Sequence, residues 1–549
     1  MATYNFETMT SAQAATIDST NDNIIVAAGS ANTASVTYVA ATPTVPASIT
    51  VTIGGVTVAG FPQTGITGTN NVFVFADGSQ LYVGDNTAGD NVTLVGGNDA
   101  IYGGGGADTL NAGNGANLIQ GNAGGDTITD GTGNDTIYGG ADNDTISGAN
   151  GGANFVNGNL GNDTIVGGAG AETLLGGQGT DTIDGAGGND YLSGDLGADS
   201  ITSGAGNDTV YGAAGADTIT LAAGGNNYVE AGDDADSVTG GAGNDTIFGG
   251  AGADTINATA GGANVIQGNA GGDTITAGSG ADTIYGGQDA DNIDAGEGTN
   301  FVNGNIGADT ITGGANADTI LGGQDGDVID GEEGANFLSG DLGDDDITGG
   351  ANADTINGGD GADTIDAEAG ANVVDGGAGN DTIEVTGSTA ANSLTGGDGN
   401  DSILGADGAS AAINDTINGG AGNDTIEGGT QKDFLTGGAG SDTFVYTTAG
   451  DSGKTAGFID QILDWTSADS ISTGVAATPS TYTEIAGTYT YDTALAAADA
   501  AIDGTVLYAA VQVGSDVVVF IDSAGTGTST DAIVLVGKTL GDISDTNIV

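Results

Sequence analysis

The chain contains no histidine and no cysteine, and its 549 residues include only three basic side chains, Lys432, Lys454 and Lys538. Each shortage removes a class of function. Without histidine there is neither a His-Glu-x-x-His zinc site nor a Ser-His triad. Without cysteine there is no thiol nucleophile and no disulfide. Set against 74 acidic residues, three cations leave a formal charge of −71. That charge opposes nucleic acid, whose phosphates need lysine and arginine, and equally opposes an anionic membrane surface. Aromatic residues are scarce at 5%, too few for the aromatic-walled cleft of a glycosidase, so catalysis is not expected. No apolar run approaches the length of a membrane span; "DVVVFI" near the C-terminus suffices only for a strand. The opening "MATYNFETMT" lacks the basic start and apolar core of a secretory signal peptide.

What the chain does have is acid and glycine, 109 of the latter against four prolines and without the every-third spacing of collagen. Like-charge repulsion of this size holds a chain open unless cations neutralise it. Composition alone is compatible with a disordered polyanion, but residue order argues otherwise. The phrase "GGAGNDTIFGG" at 240–250 returns with small variations every nine residues. With Asp245 as marker, about 38 units run from Asp90 to Asp442, with the consensus Gly-Gly-x-Gly-x-Asp-Thr-Ile-x. The glycines permit left-handed, carbonyl-lined turns. The aspartate adds a carboxylate beside those carbonyls, which makes a hard, all-oxygen site of the kind calcium prefers. The "TIx" triplet reads as a short strand whose central Ile, Leu or Val (Ile247, Ile275, Ile311) points inward while its neighbours point out.

The candidate metal ligands on this beat are Asp99, Asp108, Asp126, Asp135, Asp144, Asp163, Asp181, Asp190, Asp199, Asp208, Asp217, Asp236, Asp245 and Asp254 in the first half. In the second half they are Asp273, Asp282, Asp291, Asp309, Asp318, Asp327, Asp345, Asp354, Asp363, Asp381, Asp401, Asp415, Asp424 and Asp442. The nonapeptide resembles that of the RTX calcium-binding exoproteins over about two-thirds of the chain. The resemblance implies an all-β fold, a long calcium-dependent parallel β-roll with two units per turn and many Ca2+ ions held between turns. A single aliphatic column, worth about 1.5 to 3 kcal/mol per side chain, does not offset the entropy of ordering nine residues per unit. Folding is therefore expected to be switched by calcium.

A second period is superimposed. At intervals of 36 or 37 residues the marker becomes asparagine, at Asn117, Asn154, Asn227, Asn264, Asn300, Asn336 and Asn372, with Asp190 on the remaining beat. In the same units the outward threonine becomes Leu118, Phe155, Tyr191, Tyr228, Val265, Phe301, Phe337 or Val373. In a roll with two units per turn these side chains fall on one face, with rungs about 9.6 Å apart. They form a candidate self-association surface on an edge that carries less calcium.

The ends have another texture. Residues 1–85 hold alternating strands such as "ASITVTIGGVTVAGF", an N-terminal β cap or anchor; 86–442 is the roll; 443–549 is expected to be a C-terminal β capping domain. There, Asp460, Ile462, Asp464, Trp465, Asp469 and Ile471 resemble the closing unit of the roll in serralysin-type proteases. The following strands resemble the C-terminal part of alphaproteobacterial RTX S-layer proteins, and "LGDISDTNIV" looks like an uncleaved type I secretion signal. These resemblances imply a secreted protein on the outside of a Gram-negative cell, exported by the type I machinery and assembling as a homo-oligomeric S-layer or filament. An adhesin or matrix-binding module is the alternative. The regular outward threonines would suit an ice-binding rod, but β-propensity on a solvated face accounts for them more simply.

Overall fold

The computed structural model describes residues 3–15, 23–26, 30–39, 48–62, 73–84, 88–148, 151–221, 224–406, 414–447, 451–454, 457–522 and 525–549. The expected boundary at 85/86 lies outside them. The protein is all-β with little helix. It divides into two compact units, Met1–Ala270 and Gly271–Val549.

In the first unit, phrases of the repeat alternate between two kinds of strand, one on each face of a parallel solenoid. One face stacks three-residue strands such as Thr127–Thr129, Thr145–Ser147 and Thr164–Val166. The other stacks six-residue strands such as Leu118–Ala123, Thr136–Ala141 and Phe155–Leu160. Uniform triplets are the sequence expectation, and half of the units depart from it. In the long strands the triplet runs on through its glycine pair before the chain turns.

Register is strict. Leu110 pairs with Ile128 and Ile128 with Ile146 on one face; Ile119 pairs with Ile137 and Ile137 with Val156 on the other. All of these side chains are buried, because only the middle residue of each triplet faces the partner sheet. In the long strands the fourth residue also faces inward and is usually glycine. At Gly139 a Cβ would stand 2.8 Å from the Gly158 carbonyl oxygen and closer still to the Asp144 carboxylate, so no side chain fits there.

The N-terminal part of this unit packs Phe6, Ile24, Ile49, Phe61, Phe73 and Leu81 into one cluster, with Phe6 and Phe61 each edge-on to Phe73 at 5.8 Å. Ser35–Val39, Ser48–Ile53 and Val56–Pro62 form an antiparallel sheet. Gln80–Val83 pairs in parallel with Ala100–Gly105 and so joins the long-strand stack. The first strand of the long-strand stack is therefore paired, which removes an open edge from that sheet.

The second unit repeats the solenoid and then closes it. Asp460–Ile462 pairs with Phe434–Ala439, and Ser470–Ser472 pairs with Thr443–Val445. An antiparallel sheet of Tyr508–Val513, Asp516–Ile521 and Asp531–Leu535 follows, its last strand returning parallel to Asp460–Ile462. The helix Tyr491–Ala501 buries Ala494 and Ala498 within the same apolar cluster as this sheet. The expectation of purely β capping elements missed this alanine-rich helix. Trp465 is fully buried, near Phe444, and donates its indole N–H to the Asp542 carbonyl at 3.0 Å. The final residues are folded into the same end. Val549 donates its N–H to the Ile471 carbonyl at 2.9 Å and its own carbonyl accepts from Thr473 at 3.0 Å.

Candidate metal sites

The strand periodicity carries every marker residue to one of two edges. Asp108, Asp126, Asp144, Asp163, Asp181, Asp199, Asp217, Asp236 and Asp254 of the first unit precede short strands. So do Asp273, Asp291, Asp309, Asp327, Asp345, Asp363, Asp381, Asp401, Asp424 and Asp442 of the second unit. Within each unit this row is unbroken aspartate. Asp99, Asp135, Asp190, Asp208 and Asp245, and in the second unit Asp282, Asp318, Asp354 and Asp415, precede long strands. There they share the edge with the asparagines. All of these side chains are buried.

Each aspartate of the unbroken row divides its two oxygens. Oδ1 accepts the backbone N–H of the equivalent residue one turn earlier: Asp126 N–H to Asp144 at 2.7 Å, Asp144 N–H to Asp163 at 2.7 Å, and Asp163 N–H to Asp181 at 2.7 Å. Oδ2 of Asp126, Asp144, Asp163, Asp181, Asp199, Asp217 and Asp236 makes no hydrogen bond although it is buried. A buried carboxylate oxygen without a donor is costly. Burial raises these carboxyls first, the accepted N–H lowers them, and neighbouring carboxylates raise several of them further. Asp126 is pushed up to about 6, Asp181 and Asp236 to about 7, and Asp144 to about 8. Among the described residues no three acidic side chains converge as a metal cluster, and the oxygens that lie beside these carboxylates are backbone carbonyls. The glycines show where these meet: at Gly286, as at Gly139, a Cβ would meet both the Asp291 carboxylate and a carbonyl of the next turn, Gly304, 2.8 Å away. Carboxylate plus converging carbonyls is a hard oxygen cradle that suits calcium.

The second row differs. The Asn154 and Asn336 side-chain oxygens still accept the N–H groups of Asp135 and Asp318, each at 2.9 Å. Their amide nitrogens, however, donate where an aspartate would present a bare oxygen. Asn336 Nδ2 donates to the Gly331 carbonyl at 2.9 Å, Asn372 Nδ2 to the Ala367 carbonyl at 2.8 Å, and Asn154 Nδ2 to the Asp130 carboxylate at 2.8 Å. An uncharged donor thus ties these loop oxygens at alternate turns. Two candidates have both carboxylate oxygens engaged: Asp415 by Asn392 and Ala406, and Asp245 by Asn227 and Gly241. Sequence reasoning passed over Asp130, which lies off the nine-residue beat yet is buried, whereas Asp433, on the beat, and Asp460, in the closing motif, are buried as well.

The apolar ladder falls on the long-strand face, each member first in its strand. Leu118 packs against the N-terminal cluster, while Tyr191, Val265, Phe337 and Val373 are exposed. The intervening turns, missed in the sequence, place Tyr138, Leu175, Tyr211 and Phe248 at the third position of their strands. Ring centroids lie 5.7 Å apart for Tyr138 and Phe155, 5.4 Å for Tyr191 and Tyr211, and 5.7 Å for Tyr228 and Phe248. The signal was a large apolar residue after the inward one in "TIYGG", "TLLGG", "TVYGA" and "TIFGG".

The family profile of the RTX calcium-binding nonapeptide repeat (4 copies) matches in successive blocks from 86–119 to 412–444. The chain belongs to this RTX family, whose repeats bind calcium, many ions to a chain of this many repeats. Comparison with the curated proteins gave no match.

Proposed function

We propose that this chain is a secreted, calcium-folded structural protein of the bacterial cell surface, which packs side by side with copies of itself. The observation that carries this reading is the apolar stripe on the long-strand face. The strands that begin with Phe155, Tyr191, Phe301 and Phe337 end with Leu160, Leu196, Ile306 and Leu342, and all four of these aliphatic residues are exposed. Within each unit, repeated large apolar side chains at both margins of the long-strand face mark an interaction surface. The metal ligands of the proposal are the two aspartate rows, with the unbroken row foremost.

Among the described residues no helix is long and apolar enough to cross a membrane. The C-terminal residues fold into the close of the roll, with the Val549 N–H on the Ile471 carbonyl, so export ahead of folding presents a signal within "LGDISDTNIV" as free chain. In a calcium-poor cell the repeats stay open, and folding follows outside.

Replacing Phe155, Phe301 and Phe337 by serine is expected to leave calcium-dependent folding intact while abolishing assembly. Light scattering and electron microscopy at millimolar calcium check this. Unchanged lattices or filaments would sink the assembly reading. A second reading, a matrix-binding module, is favoured by the groove along the Leu160 and Leu196 margin, lined also by Gln120, Tyr138, Asn157 and Gln178. A well-folded monomer at millimolar calcium supports that alternative.

A further inference from the structure

The chain has no cysteine, so a covalent tie between turns of the solenoid has to use another side chain. On the long-strand face of the first unit three phenols stand on consecutive turns. Tyr191 opens the strand Tyr191–Leu196, Tyr211 is third in Thr209–Ala214, and Tyr228 opens Tyr228–Asp233. Tyr191 pairs with Thr209 and Thr209 with Tyr228, so the Tyr211 ring lies diagonally between the other two. Its centroid is 5.4 Å from that of Tyr191, with the ring planes 40° apart, and 6.3 Å from that of Tyr228. Tyr228 donates its hydroxyl to the Glu230 carboxylate, which fixes it in the row. Tyr191 is exposed and the other two rings are half-buried, within reach of a small oxidant. Ring contacts on other turns differ in kind. Tyr138 meets Phe155 and Tyr285 meets Phe301, and phenylalanine has no hydroxyl to oxidise. The like-phrased strands of the second unit, Phe337–Leu342, Thr355–Asp360 and Val373–Ala378, carry phenylalanine, asparagine and valine at the three places.

We propose that Tyr191 and Tyr211 are a site of oxidative modification, joined as dityrosine within one chain when a haem peroxidase and hydrogen peroxide act on the folded solenoid. Each phenol loses an electron to the peroxidase and its hydroxyl proton to water. The two phenoxyl radicals then pair through the ring carbons next to their oxygens. The hydrogens on those carbons move to the oxygens, which restores both phenols. Overall, two phenols and one peroxide give one carbon–carbon bond and two waters. Proximity selects the partner, because a radical on Tyr211 already has a second phenol beside it. The bond ties adjacent turns together and restricts the open chain as a disulfide does. This inference needs the folded register and is independent of how copies of the chain pack.

The test treats the dilute full chain with a haem peroxidase and hydrogen peroxide, in millimolar calcium and in excess chelator. Dityrosine fluorescence is expected to be about tenfold or more stronger in calcium, since only the folded register holds the rings together. The product is expected at the mass of a single chain, and peptide mass spectrometry is expected to place the bond between Tyr191 and Tyr211. Tyr211→Phe, which keeps a ring in the row and removes the phenol, is expected to abolish it. Equal yield in calcium and chelator would overturn the site, as would a bond scattered over other tyrosines or found only between chains. Undiminished yield in Tyr211→Phe would also overturn it. If that variant fails to fold, the peptide map of the native chain decides.

Discussion

Converting Asp291, Asp309 and Asp327 to asparagine is expected to produce two opposite effects. In saturating calcium the triple variant should hold fewer ions, about one fewer per substitution, because each change removes a bare carboxylate oxygen from the unbroken row. In chelator the same variant should be more ordered than the native chain. Asparagine keeps the acceptor for the N–H of the preceding turn, at 2.7 to 2.8 Å in the native chain. It also discards a buried charge that only a cation or proton compensates. The second row already carries this solution at Asn336 and Asn372. Alanine at the same three positions separates the two contributions. It loses the ions and also leaves buried N–H groups unpaired, at about 1 to 3 kcal/mol each. Calcium counting by mass spectrometry, with circular dichroism in chelator, reads both. Equal ion counts in the native chain and the asparagine variant would remove the unbroken row from the metal sites.

The second large effect is acid rescue of the metal-free chain. Asp144 is pushed up to about 8, and Asp181, Asp291 and Asp327 to about 7, chiefly by burial. Carboxyls of the open chain titrate near their ordinary value of about 4. Between these limits the folded state binds more protons than the unfolded state, so stability falls as pH rises through the window. Without calcium, β content should therefore be greater at about pH 5 than at about pH 8. With calcium present, binding expels those protons and apparent affinity should increase over the same range. Circular dichroism in chelator across that range checks the sign. A metal-free chain more ordered at the alkaline end would contradict the assignment of buried, unpaired carboxylates.

Much of this was legible in the sequence because the repeat couples chemistry to geometry at one fixed offset. Ile247 two residues after Asp245 implies both an inward column and a carboxylate at the turn. The two-unit turn and the sharing of one face by Phe155, Tyr191, Phe301 and Phe337 followed from the family's roll and the 36-residue period. The inequality of the two faces was not legible. Thr127–Thr129 and Thr136–Ala141 carry the same "DTI" phrase, and only the path of the chain after it makes one strand twice as long. The aromatic residues of the intervening turns escaped for a related reason. Tyr138 and Tyr211 stand two residues later in the phrase than Phe155 and Tyr191, and only cross-strand packing brings the two series together. The helix Tyr491–Ala501 lies beyond the close of the roll, where the nine-residue period breaks down.

The central claim is that calcium, seated against the buried aspartate rows, converts an open polyanion into a solenoid. The most direct measurement is a calcium titration of the dilute purified chain, with far-ultraviolet circular dichroism and small-angle scattering recorded on each sample. The account requires an expanded chain of low β content in chelator, and a cooperative collapse to a compact β-rich form as the rows fill. A chain that is already compact and fully β-structured in excess chelator at neutral pH would contradict it.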